Sequence, residues 1–300
     1  MVDRISSYSN TSKLIENNLR LQSDYAKGQQ QVSSGVKSDS FSGVAKDTNR
    51  ILSLESDYER LVQQTENSKI ALERSEVVYD TIGTIMDSAQ PIMATLNAAL
   101  SGTTTTQDLL HFVENGLAQM ESLLNTQVAG RYVFAGSATQ TAPVDFSDAD
   151  YGPAVTPSVA DTDYYQGNSF VQSVETSDGY TVDYGVTADN ATFEMIARAY
   201  DLVRNNPTDR ATLEEAFSLL ETGIDDLAEL QANVSLNSQL IDDGINRNLD
   251  DLNLIDNSLA DLKEVDLAEV TVRLQEIQAQ LEASYSLTST LLRLNLADYI

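Results

Sequence analysis

Two long stretches of this chain repeat apolar residues at alternating spacings of three and four. The first extends from Ile51 to Leu100, and the second extends from Leu220 to Leu262. This spacing places the apolar side chains on one face of an α-helix, as in the seam of a helical bundle. Continued upstream to about Thr212, the second helix would be roughly 75 Å long at 1.5 Å per residue. We therefore predict a mainly α fold, an elongated antiparallel helical bundle or coiled-coil rod formed by the N- and C-terminal segments, with a small β-rich insertion in the middle.

Weaker helical patterns occupy the two ends of the chain. Residues 5–36 carry Ile5, Ile15 and Leu19 in a seam that Ser and Gln interrupt, and residues 267–296 carry a seam that Ser and Thr interrupt. A seam this polar buries little apolar surface, so it gains little from folding alone. We expect both ends to gain order by packing against equivalent helices of neighbouring subunits.

Between the helical tracts, the pattern changes to short β-like segments. Residues 130–136 are aromatic and bounded by glycines, which is typical of a strand leaving a helical bundle. Asp178-Gly179 predicts a hairpin turn with positive φ, and residues 170–175 would form the partner strand. One face of this hairpin would consist of Tyr180, Val182, Tyr184 and Val186.

These patterns divide the chain into five predicted segments. An N-terminal assembly helix and turn span residues 1–43, and N-terminal rod helices span residues 44–136. A small, exposed, β-rich domain follows at residues 137–190. Returning rod helices span residues 191–265, and a C-terminal assembly helix spans residues 266–300.

Local signals predict where individual helices begin or change. The long N-terminal helix is expected to begin near Val44 and to kink or restart at Pro91, which removes a backbone donor. Two capping pairs are predicted to open later helices. They are Thr105 with Asp108, and Thr212 with Glu215.

The chain is strongly acidic, with a formal net charge of −28. Nucleic acids and anionic membrane surfaces need clustered Lys and Arg, so neither is expected as a partner. Residues 145–266 hold 26 Asp and Glu against 5 Lys and Arg, and we expect this region to face water. No run approaches the length of a membrane span, and the first residues lack the apolar core of a signal peptide. Export would therefore use a route without a cleaved signal.

The sequence offers no pattern of residues that predicts catalysis. It contains no cysteine and one histidine, His111, so thiolate and multi-histidine sites are excluded. Asp145, Asp148 and Asp150 resemble a calcium loop only faintly, because the distal glutamate is missing. We therefore expect neither an enzyme nor a protein with a metal or other cofactor.

Three segments carry a resemblance to a known family. Residues 31–37, Gln-Val-Ser-Ser-Gly-Val-Lys, resemble the N-terminal signature of the flagellin superfamily, and residues 266–285 resemble its terminal helix. Residues 130–136, Gly-Arg-Tyr-Val-Phe-Ala-Gly, are similar to an element typical of its hook–filament junction branch. One departure lies at residues 38–42, Ser-Asp-Ser-Phe-Ser, where the family often carries a pair of aspartates.

The resemblance implies an extracellular structural subunit of the bacterial flagellum, exported by the flagellar type III apparatus and linking hook to filament. Its implied partners are further copies of itself, neighbouring hook-associated and flagellin subunits, and an export chaperone. The implied junction-type motif consists of Gly130, Tyr132, Phe134, Ala135 and Gly136. The implied assembly interface consists of Ile5, Ile15, Leu19, Val32, Ser33, Ser34, Gly35, Leu267, Val270, Leu274, Ile277, Leu281, Tyr285 and Leu291.

Two other functions stay open at this point. A short flagellin that forms the filament itself would share the same terminal helices, although residues 296–300 resemble a junction ending more closely. A surface-binding or adhesive module is the alternative from another class, with a glycan or host ligand at residues 140–190. Its support is a group of tyrosines, namely Tyr151, Tyr164, Tyr165, Tyr180 and Tyr184.

Overall fold

The computed structural model describes residues 2–38 and 46–297, with side chains described for residues 12–38 and 46–290. The described residues form six helices and two small antiparallel sheets, which confirms the predicted mainly α fold. The helices are α1 (Val2–Ser34), α2 (Thr48–Leu100), α3 (Thr106–Leu124), α4 (Ala191–Asn205), α5 (Arg210–Lys263) and α6 (Leu267–Ala297). The strands are β1 (Gln127–Val128), β2 (Arg131–Tyr132), β3 (Ser173–Ser177) and β4 (Tyr180–Asp183).

The chain divides into two compact units. Unit 1 consists of Met1–Arg60 together with Asp251–Ile300, and it holds α1, α6 and the adjoining ends of α2 and α5. Unit 2 consists of Leu61–Asp250 and holds the remaining elements. Residues 137–190, predicted as a small β-rich domain, lie within unit 2 and contain one two-stranded sheet among the described elements.

Helices α2 and α5 lie antiparallel in unit 2. The side-chain amide of Gln231 donates to the carbonyl oxygen of Tyr79 over 3.1 Å, and the hydroxyls of Ser75 and Ser238 are 2.8 Å apart. Each predicted seam position of α5 from residue 220 to 248 is buried or half-buried. Helix α2 continues without a break through Pro91, so the helix does not restart there. The predicted start near Val44 falls outside the described residues.

The two predicted capping pairs have different outcomes. The Thr105 hydroxyl accepts a hydrogen bond from the Asp108 backbone N–H over 3.1 Å and caps α3, as predicted. The pair of Thr212 with Glu215 is wrong. Instead, the Asp209 carboxylate accepts from the Thr212 backbone N–H over 3.0 Å and from its hydroxyl over 2.8 Å. A carboxylate immediately before the helix satisfies the free N–H groups of the first turn.

The core of unit 2 joins α2, α3, α4 and α5 to the segment that follows β2. Phe134 from that segment meets Phe193 of α4 edge to face, with ring centroids 5.9 Å apart. Tyr164 is also fully buried, and its hydroxyl donates to the carbonyl oxygen of Ala188 over 2.9 Å. Loop residues therefore contribute to the same core as the helices.

The predicted hairpin is present as β3 and β4, with differences in detail. The partner strand begins at Ser173 rather than at residue 170. Val182, Tyr184 and Val186 are buried as predicted, whereas Tyr180 is exposed. A register irregularity between Glu175 and Ser177 adds a residue to β3. Such a bulge locally disrupts the pairing of the two strands next to the turn.

Candidate assembly surface and acidic loop site

The end of α1 is joined to the connection between α5 and α6. Gly35 has φ of 75°, a left-handed conformation that glycine adopts without steric cost, and it ends the helix. Val36 then forms an antiparallel bridge with Glu264. The backbone N–H of Lys37 donates to the carbonyl oxygen of Lys263 over 2.7 Å. The segment that resembles the flagellin signature thus connects the end of α1 to the turn between α5 and α6 in unit 1.

The Lys37 ammonium group caps the C-terminus of α5. It donates to the carbonyl oxygens of Asp261 over 2.5 Å and of Leu262 over 3.1 Å. A cation at this end of a helix satisfies free carbonyl groups and interacts favourably with the helix dipole. An ion pair between Lys263 and Glu55 links the end of α5 to α2.

Helices α1 and α6 form an antiparallel pair. Gly28 of α1 packs against Leu274 of α6 so closely that an added Cβ would lie 2.7 Å from that leucine side chain. Further along, the Gln22 side-chain amide donates to the Tyr285 hydroxyl over 2.6 Å. The buried face of α6 contains Val270, Ile277 and Leu281, as the predicted seam requires.

The predicted seam of α1 is not the face that packs on α6, since Ile15 and Leu19 are 50% and 61% exposed. The face that packs on α6 carries a regular four-three spacing in which two positions are not apolar. Its members are Leu14, Asn18, Leu21, Tyr25 and Gly28.

The predicted assembly residues fall into three groups. Val270, Ile277 and Leu281 are buried, and Gly35 and Leu274 are half-buried, all within the chain itself. Ile5 and Leu291 lie on α1 and α6, but their side chains are outside the described residues. The exposed group consists of Ile15, Leu19, Val32, Ser33, Ser34, Leu267 and Tyr285. Val272 and Leu287 are also exposed apolar residues of α6, although they lie outside the predicted assembly interface.

The second half of the junction-type motif is buried in unit 2, whereas Gly130 at its start is exposed. Gly130 has φ of 74° in the turn between β1 and β2, and Tyr132 is half-buried. Phe134, Ala135 and Gly136 are buried. A Cβ on Gly136 would overlap the carbonyl oxygen of Asn168. The motif therefore holds the loops of unit 2 against its helices.

Three carboxylates in unit 2 hold the loop of residues 151–163, contrary to the expectation that the acidic region faces water throughout. Asp201 of α4 accepts from the Ala154 backbone N–H over 2.5 Å, and Glu194 of α4 accepts from the backbone N–H of Asp161 over 3.0 Å. Glu215 of α5 accepts from the Ser158 backbone N–H over 2.7 Å and from its hydroxyl over 2.6 Å. Asp201 and Glu194 are buried.

Sequence reasoning missed these carboxylates because local acidity is typical of a solvated surface. The pKa of Glu194 is raised by burial, although the Asp161 N–H and the Arg198 guanidinium oppose that effect. Burial also acts on Glu215, but hydrogen bonds from Ser158 and Thr156 outweigh it and hold the pKa of Glu215 below its ordinary value. Lowering the pH therefore favours the folded state through Glu194 and disfavours it through Glu215.

We expect replacement of Glu215 by glutamine to lower stability only when the wild-type carboxyl is ionised. A group with a lowered folded-state pKa stabilises the protein above its unfolded-state pKa, and this contribution is lost as pH falls through the folded-state value. Glu215→Gln should lower the free energy of unfolding by about 1 kcal/mol at neutral pH, since the site is partly exposed. The difference should disappear in urea titrations at acidic pH, once the carboxyl is protonated in the folded state.

The matched control is Glu214→Gln on the neighbouring position of α5. Glu214 forms an exposed ion pair with Arg210, which should contribute little at either pH. The raised pKa of Glu194 affects all three proteins equally, so it cancels in the comparison. A Glu215→Gln effect of the same size at both pH values would contradict the assignment.

The remaining sites considered from sequence have ordinary structural positions. His111 lies exposed on α3. The Asp145 carboxylate accepts from the Ser147 backbone N–H over 2.9 Å, and the Asp148 carboxylate accepts from the Asp150 backbone N–H over the same distance. These two aspartates stabilise turns in their own loop. Among the described helices, none combines the length and apolarity needed to cross a membrane.

Comparison with known proteins gives a family match and a shared fold. Residues 5–139 match the model of the bacterial flagellin N-terminal helical region. No curated protein sequence matches the chain. A structure from Vibrio parahaemolyticus, described as a flagellar hook-associated protein, has a TM-score of 0.59 at 17% identity and covers 74% of this chain and 100% of that chain. FlgL of Bacillus cereus has a TM-score of 0.49 at 15% identity and covers 65% of this chain and 98% of that chain.

These findings bear on the predicted resemblance to flagellin. The Vibrio structure shows a related fold for about three quarters of the chain. Residues 5–139 of this chain are therefore similar to the N-terminal helical region of bacterial flagellin.

Proposed function

We propose that this protein is a structural subunit that links the flagellar hook to the filament through contacts of its terminal helices with neighbouring subunits. The observation that carries the proposal is the exposure of Ile15 and Leu19 on α1. These residues are four apart, so they lie side by side on the helix surface. They remain exposed although another face of α1 packs on α6. A second helix could cover both without disrupting the pair.

The expected partners follow from this surface and from the family. Burying a leucine-sized side chain stabilises a contact by about 1.5 to 3 kcal/mol, so a few residues per subunit would support assembly. The neighbours would be copies of this chain, other hook-associated proteins and flagellin. Export by the flagellar type III apparatus, with a chaperone that covers the terminal helices beforehand, is part of the same proposal.

The junction role is preferred to that of a short flagellin because residues 130–136 carry the junction-type motif. Immunogold labelling of intact appendages separates the two functions. A band at the distal end of the hook is expected for a junction subunit. Label along the whole filament would show a flagellin instead.

The double variant Ile15→Ser/Leu19→Ser tests the assembly surface directly. We expect incorporation into appendages to fall at least tenfold, because two apolar contacts are lost from each interface. The thermal stability of the monomer should stay close to wild type, since both side chains are largely exposed. Quantitative immunoblotting of sheared appendages measures incorporation, and circular dichroism measures stability.

Phe112→Ser is the matched control for this test. Phe112 is an exposed apolar residue of α3 in unit 2, so its replacement should leave incorporation unchanged. Wild-type incorporation of the double variant would refute a contact through this face of α1. Equal loss in the double variant and in Phe112→Ser would show a general effect of surface polarity.

The tyrosines that supported an adhesive module do not form an exposed surface. Tyr164 and Tyr184 are buried, and Tyr151 and Tyr165 are half-buried. Of the five, Tyr180 is the one that is exposed. Their placement gives no independent support to adhesion.

A further inference from the structure

A cavity of about 520 Å³ lies between α4 and the loop of residues 151–163. Its wall includes Tyr151, Pro157 and Val159 from the loop, and Glu194 and Arg198 from α4. Cavities of about 300 to 1,000 Å³ are typical of sites for small molecules. The cavity is large enough for a ligand of one or two sugar rings.

The cavity is shaped before any ligand arrives. Three carboxylates, those of Asp201, Glu194 and Glu215, hold the backbone of the loop at three separate points. A loop fixed in this way loses little conformational entropy when a ligand binds, which favours affinity.

Arg198 lines the cavity and carries one unsatisfied hydrogen-bond donor, its Nε. Its Nε lies 3.3 Å from a Glu194 carboxylate oxygen, but the geometry does not form a hydrogen bond. This nitrogen is buried and has no hydrogen-bond partner among the described residues. A guanidinium group carries five N–H donors in a planar fork. Because buried donors are normally paired, Arg198 indicates a ligand that supplies acceptor oxygens.

The other charged groups of the cavity restrict the charge of that ligand. Asp161, Asp163 and Glu194 line it together with Arg198, so three carboxylates accompany one guanidinium group. The excess of negative charge disfavours an anion, and the unpaired N–H of Arg198 needs an acceptor oxygen, which a simple cation does not supply. Neighbouring hydroxyl groups donate to carboxylates and accept from arginine without adding charge.

We propose that this cavity binds a neutral saccharide of one or two rings. Arg198 binds sugar oxygen atoms as a donor, while Asp161, Asp163 and Glu194 accept from sugar hydroxyl groups. The exposed side chain of Val159 forms part of the rim and contacts the apolar face of a ring. The site belongs to unit 2, whereas the proposed assembly contacts of Ile15 and Leu19 belong to unit 1.

Calorimetric titration of the full chain with neutral disaccharides tests this site. The probes are maltose, cellobiose, trehalose and N,N′-diacetylchitobiose, with citrate and spermidine as charged comparisons. At least one disaccharide should bind saturably, with a Kd of about 0.1 to 10 mM. Citrate and spermidine should bind more weakly than that sugar.

Two variants test whether the sugar binds in this cavity. Arg198→Met should weaken the binding of the preferred sugar at least tenfold, and Arg210→Met should not, since Arg210 lies outside the cavity. Val159→Trp should also weaken binding, because it fills the cavity, and its fold should be retained because Val159 is 81% exposed. This second variant keeps the test valid if Arg198→Met does not fold.

The proposal is overturned if none of the four sugars binds saturably, or if citrate or spermidine binds more tightly than all of them. Wild-type sugar affinity in both Val159→Trp and folded Arg198→Met would also overturn it. None of these outcomes affects the proposed assembly function, because that function is measured by incorporation of unit 1 variants.

Discussion

Replacing Phe134 with alanine should lower the free energy of unfolding by about 3 to 5 kcal/mol, the usual cost of truncating a fully buried phenylalanine. Phe134 is 0% exposed, and its ring meets Phe193 at an interplanar angle of 89°. Its loss would leave a cavity between the junction-type motif and α4. Urea titration followed by far-ultraviolet circular dichroism measures the change.

Phe112→Ala is a control that makes the same substitution at a more exposed position. Phe112 is 47% exposed on α3, so its truncation removes little buried surface. The expected change is about 1 kcal/mol or less. If Phe134→Ala and Phe112→Ala had similar effects, the motif would not be part of the core that supports unit 2.

Replacing Asp201 with alanine should lower the free energy of unfolding by about 3 kcal/mol, because partners of a buried carboxylate are left without it. Asp201 is 0% exposed. It pairs with Arg204, and it accepts from the Ala154 backbone N–H and, over 2.8 Å, from the Asn205 side-chain amide. Urea titration measures the loss, and hydrogen exchange should show faster exchange at Ala154.

The matched control for Asp201 is Glu214→Ala on α5. Glu214 also pairs with an arginine, but its ion pair with Arg210 is exposed. Surface pairs of this kind contribute about 0 to 1 kcal/mol. A loss of less than 1 kcal/mol in Asp201→Ala, or unchanged exchange at Ala154, would contradict the role of Asp201 in fixing the loop.

The helical part of this fold could be predicted because its signal is repeated many times along the sequence. The seam of α5 has thirteen positions from Leu220 to Leu262, so a few polar members such as Gln231 and Asn248 do not obscure the register. Helix α1 is different. Its inward face contains Asn18 and Gly28, while Ile15 and Leu19 are exposed. Apolar spacing therefore identifies the exposed face of α1 and not the face that packs on α6.

The loop site could not be predicted because its contacts join residues far apart in the chain. Asp201 and Ala154 are 47 residues apart, and Glu215 and Ser158 are 57 residues apart. Acidic side chains are usually solvated, and no local pattern separates a carboxylate that binds a backbone N–H from one that faces water. The capping pair at Thr105 was predictable because both partners lie within one turn.

The hydrogen bonds of Lys37 with the end of α5 affect the order in which the two units fold. Lys37 binds carbonyl groups 224 and 225 residues further along the chain, and Gln22 binds Tyr285 across 263 residues. Closing a loop of this length lowers the conformational entropy of the chain before any stabilising contact has formed. Contacts at large sequence separation therefore form slowly. The contacts within residues 61–250 require neither end of the polypeptide, whereas those of unit 1 require both. We therefore expect unit 1 to form its contacts last.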